Sequence, residues 1–314
     1  MTSTTRTARR DALGGIISVG CIAFLLYVSL DLSGELASLV SEGLRLSLEL
    51  IIPSVLPFLI LCDPIRALAH PEQIKPLGRL FERIFRINSS CVSVFLLGAV
   101  CGFPIGAKMA LDCYDNGIIS KDECERLMAI SNNASPAYVI SAVGAGLRGS
   151  EREGVILYSS AIISSVISGI IISFGKRKTE IRGDISRQRY SFIESVKSSV
   201  LTCLNVAAFV TVFSVLFGMC RLLCRDELVL TLLASVLEIA SGARYISDLN
   251  IFSPCISLAL CSFCISFSGL CVGAQTLSLI KRGSSISPAR YLLYKLLSGV
   301  ISFAVSIIFY YIFI

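Results

Sequence analysis

Long apolar runs dominate this chain: residues 13–30, 44–62, 154–174, 199–223 and 292–314 each approach or exceed the length of a helix that crosses a bilayer, about 20 residues. Such segments have few ways to fold. Inside a bilayer no water pairs the backbone, so each N–H and C=O must be satisfied within a helix or a closed barrel. Barrel strands are about 10 residues long with alternating polarity, and these runs are longer and do not alternate. Composition agrees, with 54% hydrophobic residues, 16% charged and a mean hydropathy of +0.77, where a soluble domain carries about 25% charge. The sequence predicts an all-α polytopic membrane protein, with residues 1–314 forming a single membrane domain.

The net charge of +6 does not mark a nucleic-acid partner, because the bases fall in short segments between apolar runs. That is the distribution expected of cytoplasmic loops. The arm before residue 12 holds Arg6, Arg9 and Arg10, and residues 12–30 then form a retained first helix rather than a cleaved leader, which puts the N-terminus in the cytoplasm. Residues 63–88 carry five bases against three acids, 176–189 six against two, and 281–290 three against none. Residues 31–43 carry three acids and no base, so they are expected as an exterior loop, with 148–153 and 224–227 outside by alternation.

These crossings divide the remainder into halves, 43–175 and 199–314, after an N-terminal part, 1–42, and around a basic cytoplasmic linker, 176–198. Each half is a helix, an irregular net crossing (64–147 or 228–280) and a helix, and the second runs opposite to the first. That is an inverted-topology repeat, an architecture common in secondary transporters. Short similarities accompany it. Cys101-Gly102-Phe103-Pro104-Ile105-Gly106-Ala107-Lys108 aligns with Ser268-Gly269-Leu270-Cys271-Val272-Gly273-Ala274-Gln275, and Ser54-Val55-Leu56 with Ser214-Val215-Leu216.

Enzyme chemistry lacks its residues. The chain has a single histidine, His70, and neither a G-x-S-x-G elbow nor a P-loop. Thirteen cysteines show no disulfide framework, and the pair Cys261 and Cys264 lies within an apolar run, so buried thiols are expected and no metal or cofactor.

The polar residues within the irregular crossings are therefore candidate solute ligands. Gly102, Phe103, Pro104 and Gly106 break any helix through them. A helix restarting there offers N–H groups and positive dipole to an anion, with Lys108 in its first turn. Ser120 and Glu123 have capping-box spacing. Asn132, Asn133 and Ser135, just before Pro136, form a second break whose amides and hydroxyl can donate and accept. Gly269, Gly273 and Gln275 are the counterparts of Gly102, Gly106 and Lys108 in the second half. Glu238, an acid in an apolar run, is the candidate for ion coupling, with pairing to Lys108 or Arg244 as alternatives. Pro53 and Pro57 mark a kink, and Arg45 and Glu49 an i,i+4 pair.

Four of these stretches together resemble the YlbJ-like (SpoVV-type) sporulation integral membrane proteins: Ile52-Pro53-Ser54-Val55-Leu56-Pro57-Phe58, Gly102-Phe103-Pro104-Ile105-Gly106-Ala107-Lys108, Glu125-Arg126-Leu127 with Asn132-Asn133-Ala134-Ser135-Pro136, and Leu237-Glu238-Ile239 with Gly242. The resemblance covers about residues 40–280. It implies a nucleoside-recognition (Gate) domain, distantly similar to the core of concentrative nucleoside transporters. It further implies an endospore-forming bacterium and movement of a small anionic solute, dipicolinate, across the outer forespore membrane. The expected partners are that solute, the lipid bilayer, and further copies of the chain or other spore membrane proteins. Ala137-Tyr138 after Pro136 and the abundance of cysteine depart from the family pattern.

The topology is checked by labelling single thiols engineered into a cysteine-free variant. Probes at 176–190 and at 284–287 should react from one face of the membrane, and probes at 148–153 from the other. Reaction of 176–190 and 148–153 from the same face would rule out the inverted arrangement.

Overall fold

The computed structural model describes residues 33–68, 75–176, 191–249, 251–281 and 284–314. Every element among them is helical. The expected first helix at 12–30, His70 and most of the basic linker lie outside the described residues. In chain order the helices are α1 (Ser33–Leu46), α2 (Ile52–Leu68), α3 (Lys75–Phe85), α4 (Val92–Cys101), α5 (Ile105–Asp115), α6 (Lys121–Ser131), α7 (Ala137–Leu147), α8 (Glu151–Ser173), α9 (Phe192–Leu223), α10 (Glu227–Leu237), α11 (Ile239–Asp248), α12 (Pro254–Phe267), α13 (Gly269–Ser278) and α14 (Pro288–Phe313). Four segments are long and apolar enough to cross a membrane: α8, α9, α14, and α12 with α13. The chain is a multi-pass membrane protein.

Three sequence expectations change. The acidic stretch 31–43 is not a loop, because it is helical from Ser33. Leu36, Leu39, Val40 and Gly43 recur at helical spacing, and this face lies on α9. A Cβ at Gly43 would come 2.9 Å from the Thr211 backbone, and Leu39 covers Gly218. Within the expected loop 63–88, Phe81 and Phe85 give α3 an apolar face that packs on Phe95. From there α3 meets the segment Ser89–Cys101 at 105°. The linker is also shorter than expected, because α9 already begins at Phe192.

Between α1 and α2 the helix widens into a π-turn, Ser47–Ile51, in which the Ile52 N–H reaches the Ser47 carbonyl. Pro53 follows directly and has no N–H to give Glu49, so the wider winding replaces the bond proline removes. Arg45 and Glu49 pair at 2.9 Å on the exposed face, where such a pair contributes about 0.3–0.5 kcal/mol.

Apart from α3, which has no counterpart in the second half, each half repeats one order of elements: a leading helix (α2 or α9), a hairpin (α4–α5 or α10–α11), a broken helix (α6–α7 or α12–α13) and a long closing helix (α8 or α14). The hairpins are recognised by distance. Residues eight apart in a continuous helix stand about 12 Å apart. Yet a Cβ on Gly98 would lie 3.1 Å from Gly106 Cα, and a Cβ on Gly242 only 2.5 Å from the Ala234 carbonyl. The first tip is centred on Gly102, at φ +82°, and the second on Glu238. By this order the octads aligned above are not equivalent, since one spans a hairpin tip and the other opens the second part of a broken helix. Glycine and alanine recur in both because close helix packing selects small residues wherever it occurs.

Hydroxyls join the long helices. Ser168 bonds Ser298 at 2.7 Å, while Ser302 takes both Ser262 and Ser266 at 2.7 Å. On the opposite flank Arg126, fully buried, gives its guanidinium to Asp122, Ser173 and the Phe85 carbonyl. Burial alone would raise the Asp122 carboxyl, but Lys176 and Arg126 hold it below its ordinary range. Glu125 ties this flank to the second half through Arg290 at 3.1 Å and the Ser287 N–H at 2.7 Å. The capping box of Ser120 and Glu123 is present at the start of α6.

The two glycines that the octad alignment paired should respond differently to alanine. A Cβ at Gly106 would stand 2.0 Å from the Ser131 carbonyl oxygen, whereas one at Gly273 meets only the Leu292 side-chain tip at 3.0 Å. Gly106→Ala should cost about 3 kcal/mol or more and lower the folded yield. Gly273→Ala should leave the midpoint of thermal unfolding in detergent nearly unchanged. Equal effects would contradict the described packing.

Candidate functional site

The breaks persist because each is held by protein. Both arms of the first hairpin close on the end of α6: glycines 98 and 106 have the Ser131 carbonyl where a side chain would be, and Gly102 lies against Ser135 in the break after α6. In the second half the ideal Cβ position of Gly269 lies 3.1 Å from the Leu237 carbonyl and 3.4 Å from Glu238 Cα. Each hairpin tip thus sits on the break of the broken helix that follows it.

These four interruptions meet at one cavity with about 460 Å³ of space between atoms, part of it open to solvent. The first half contributes Phe103 from its tip, Ser135 and Tyr138 from its break, and Ile51 and Val55 from its leading segment. The second contributes Glu238 from its tip, Cys271 and Gln275 beyond its break, and Val206 and Val210 from α9. Corresponding elements of the two halves both contribute to the lining. The wall is mostly apolar, with polarity confined to a hydroxyl, a phenol, a carboxylate and an amide. Two of those groups are unsatisfied, since Tyr138 Oη and Gln275 Oε1 are buried without a hydrogen-bond partner.

The remaining sequence candidates sit around this cavity or away from it. Glu238, 3% exposed, caps α11 by accepting the Ala240 and Ser241 N–H groups at 2.9 and 2.5 Å. No ion pair to Lys108 or Arg244 occurs among the described residues. Pro104 precedes α5, and Gly106 packs behind it. Asn133 is turned back onto the Ile130 carbonyl at 2.7 Å and Ser165 at 3.3 Å. Asn132 bridges the halves: its amide nitrogen donates to Thr276 Oγ1 at 2.9 Å and Tyr291 Oη at 2.7 Å, while its own Oδ1 has no partner. Lys108 lies outside the cavity. Its side chain is exposed and reaches Ser198 Oγ at 3.4 Å.

The buried cation is a different residue. Lys295, 1% exposed, donates to the Asn132 carbonyl oxygen at 2.9 Å and stands 5.9 Å from the centre of the Phe103 ring. No carboxylate pairs with it among the described residues. Sequence reasoning missed it because a lysine two turns into an apolar helix looks like one that snorkels to the interface. The available signal was its isolation: no other charged residue follows Arg290 in α14. The thiols of Cys261 and Cys264 face the Ala243 and Ile239 carbonyls of α11 at 3.9 and 3.8 Å, and no cluster of three or more metal-ligating side chains occurs among the described residues.

Asn132→Ala removes the donor that Thr276 and Tyr291 share and should destabilise the protein by about 1–3 kcal/mol. The readout is the unfolding midpoint in detergent. A midpoint unchanged from the unsubstituted chain would mean that the bridge between the halves contributes nothing.

No protein-family model matches the chain, and no solved structure matches it. Among curated proteins it is similar to the sporulation integral membrane protein YlbJ of Bacillus subtilis (strain 168). The two are 25% identical over 304 residues, covering 82% of this chain and 73% of the relative. That similarity extends through most of both chains and agrees with the motifs, which supports a YlbJ-like assignment.

Proposed function

We propose that the protein is a permease for a small solute, held between Phe103, Ser135 and Tyr138 of the first half and Glu238 and Gln275 of the second. One observation carries the reading: two hairpin tips and two broken helices, matched between the halves, converge on a cavity whose Tyr138 and Gln275 each keep an unused hydrogen-bonding atom. A buried polar atom left unpaired costs about 1–3 kcal/mol, and a structural core would not need to retain two beside open space. Broken helices at a repeat interface are where transporters bind solute. The repeated order of elements supports an inverted repeat and a distant likeness to a nucleoside-transporter core.

For the solute we infer a small planar carboxylate of the dipicolinate type, as the family resemblance implies. The Phe103 and Tyr138 rings suit a flat aromatic body, and Lys295 places a positive charge behind Phe103. Glu238 opposes an anion less than its position implies, because two backbone N–H groups already hold its oxygens. In a forespore membrane such a permease would serve spore maturation. The chain is not proposed to be an enzyme, and its site needs no cofactor.

The test is counterflow in proteoliposomes loaded with unlabelled dipicolinate, which requires no external driving force. Labelled dipicolinate should accumulate well above protein-free vesicles, and Gln275→Leu should lower the initial rate about tenfold, the equivalent of about 1.4 kcal/mol, at equal protein incorporation. Absence of counterflow for dipicolinate and for nucleosides alike would overturn the permease reading and favour a scaffold in the spore envelope.

A further inference from the structure

Lys295 is buried two turns into α14, with its ammonium at the carbonyl end of a half-helix. Asn132 is the residue at which α6 stops, at φ −87° and ψ 80°, and its carbonyl accepts a hydrogen bond from the Lys295 ammonium at 2.9 Å. The carbonyl end of a helix carries negative partial charge. Two oxygens of the same turn, Ser131 Oγ and Asn132 Oδ1, are buried with no partner. The Phe103 ring adds a negative π-face 5.9 Å from the ammonium. This is the surrounding a monovalent cation takes in a broken-helix transporter: unwound carbonyls and the C-terminal end of a half-helix.

A lysine without a counter-ion is expensive to bury in a membrane protein, and a merely structural contact could be made by a neutral donor. We infer that the Lys295 ammonium is a tethered cation: it fills the monovalent-cation site at the end of α6, so solute movement through this protein is not coupled to sodium. The ammonium does for the break what a bound ion would do, holding the Asn132 carbonyl in place while Asn132 grips Thr276 and Tyr291 on the other half. The inference rests on the permease reading for its consequence in transport, but the cation site itself does not.

Thermal unfolding tests the site without any solute. The chain has no tryptophan, and its buried thiols allow a thiol-reactive fluorophore to report unfolding in detergent. Sodium, potassium or lithium chloride is compared with choline chloride at constant ionic strength. The unsubstituted protein should unfold at the same temperature in all four. Lys295→Ala empties the site, so it should unfold several degrees lower in choline and recover with rising sodium, potassium or lithium in a saturable way. Saturable stabilisation of the unsubstituted protein by one of these cations would overturn the inference, as would a folded Lys295→Ala that responds to all four salts alike.

Where Lys295→Ala yields no folded protein, the unsubstituted chain still decides. Its dipicolinate counterflow should run at one rate in sodium and in choline, and a several-fold requirement for sodium would overturn the tethered cation. Counterflow absent in every salt would instead count against the permease reading, and the unfolding comparison would then judge the cation site alone.

Discussion

An interrupted helix inside a membrane leaves backbone groups that neither lipid nor water can satisfy, and the rest of this structure is arranged around meeting that need. At the end of α6 the Asn132 carbonyl is met by Lys295 from α14. Space for the hairpin that covers the break exists only because positions 98 and 106 are glycine, each lying where a side chain would strike the Ser131 carbonyl. In the second half the hairpin tip between α10 and α11 is met by Glu238, whose carboxylate takes the Ala240 and Ser241 N–H groups that open α11. One helix end is closed by a cation on a carbonyl and the other by an anion on amides, each matching the partial charge of the helix end it meets.

The cavity follows from this closure. Hairpin tips pressed against helix breaks cannot also pack tightly with one another, since the side chains that would fill the space have been given up to glycine or turned to bond backbone. The pocket that remains is bordered by the leading helices α2 and α9, which supply only apolar side chains. Outside it the hydroxyl pairs of α8, α12 and α14 and the buried Arg126 fix the surrounding helices. Membrane helices gain little from apolar contact alone, so such polar pairs carry a larger part of their association, about 0.6 kcal/mol each on average. The site is therefore an open centre within a frame held by hydrogen bonds.

What is local was legible in the chain. The length and apolarity of 154–174 and 292–314 specified helices that the structure shows within a few residues, and 199–223 one that begins earlier, at Phe192. The break at Gly102-Phe103-Pro104 and the break at Asn132-Asn133 follow from the conformations that glycine and proline impose and from polar side chains that compete with helical bonds. The cap at Ser120 follows from the spacing to Glu123. Ser135, Glu238 and Gln275 are polar exceptions inside apolar runs, and Phe103 stands between a glycine and a proline, which was enough to single them out.

What depends on distant partners was not legible. Periodicity along the chain cannot tell a hairpin from a broken helix, because the two differ only in where the second arm goes, and that was decided by the contact of Gly98 with Gly106 and of Ala234 with Gly242. Nor can it tell which lysine is buried. Lys108 follows a break and Lys295 sits in a long apolar helix, but the first ends on the protein surface beside Ser198 and the end of α6 covers the second. The sequence by itself determined the class of the protein and the places where its helices fail. Only the tertiary structure decided which failures face each other and which charge closes them, because the stability of a buried charge depends on atoms more than a hundred residues away.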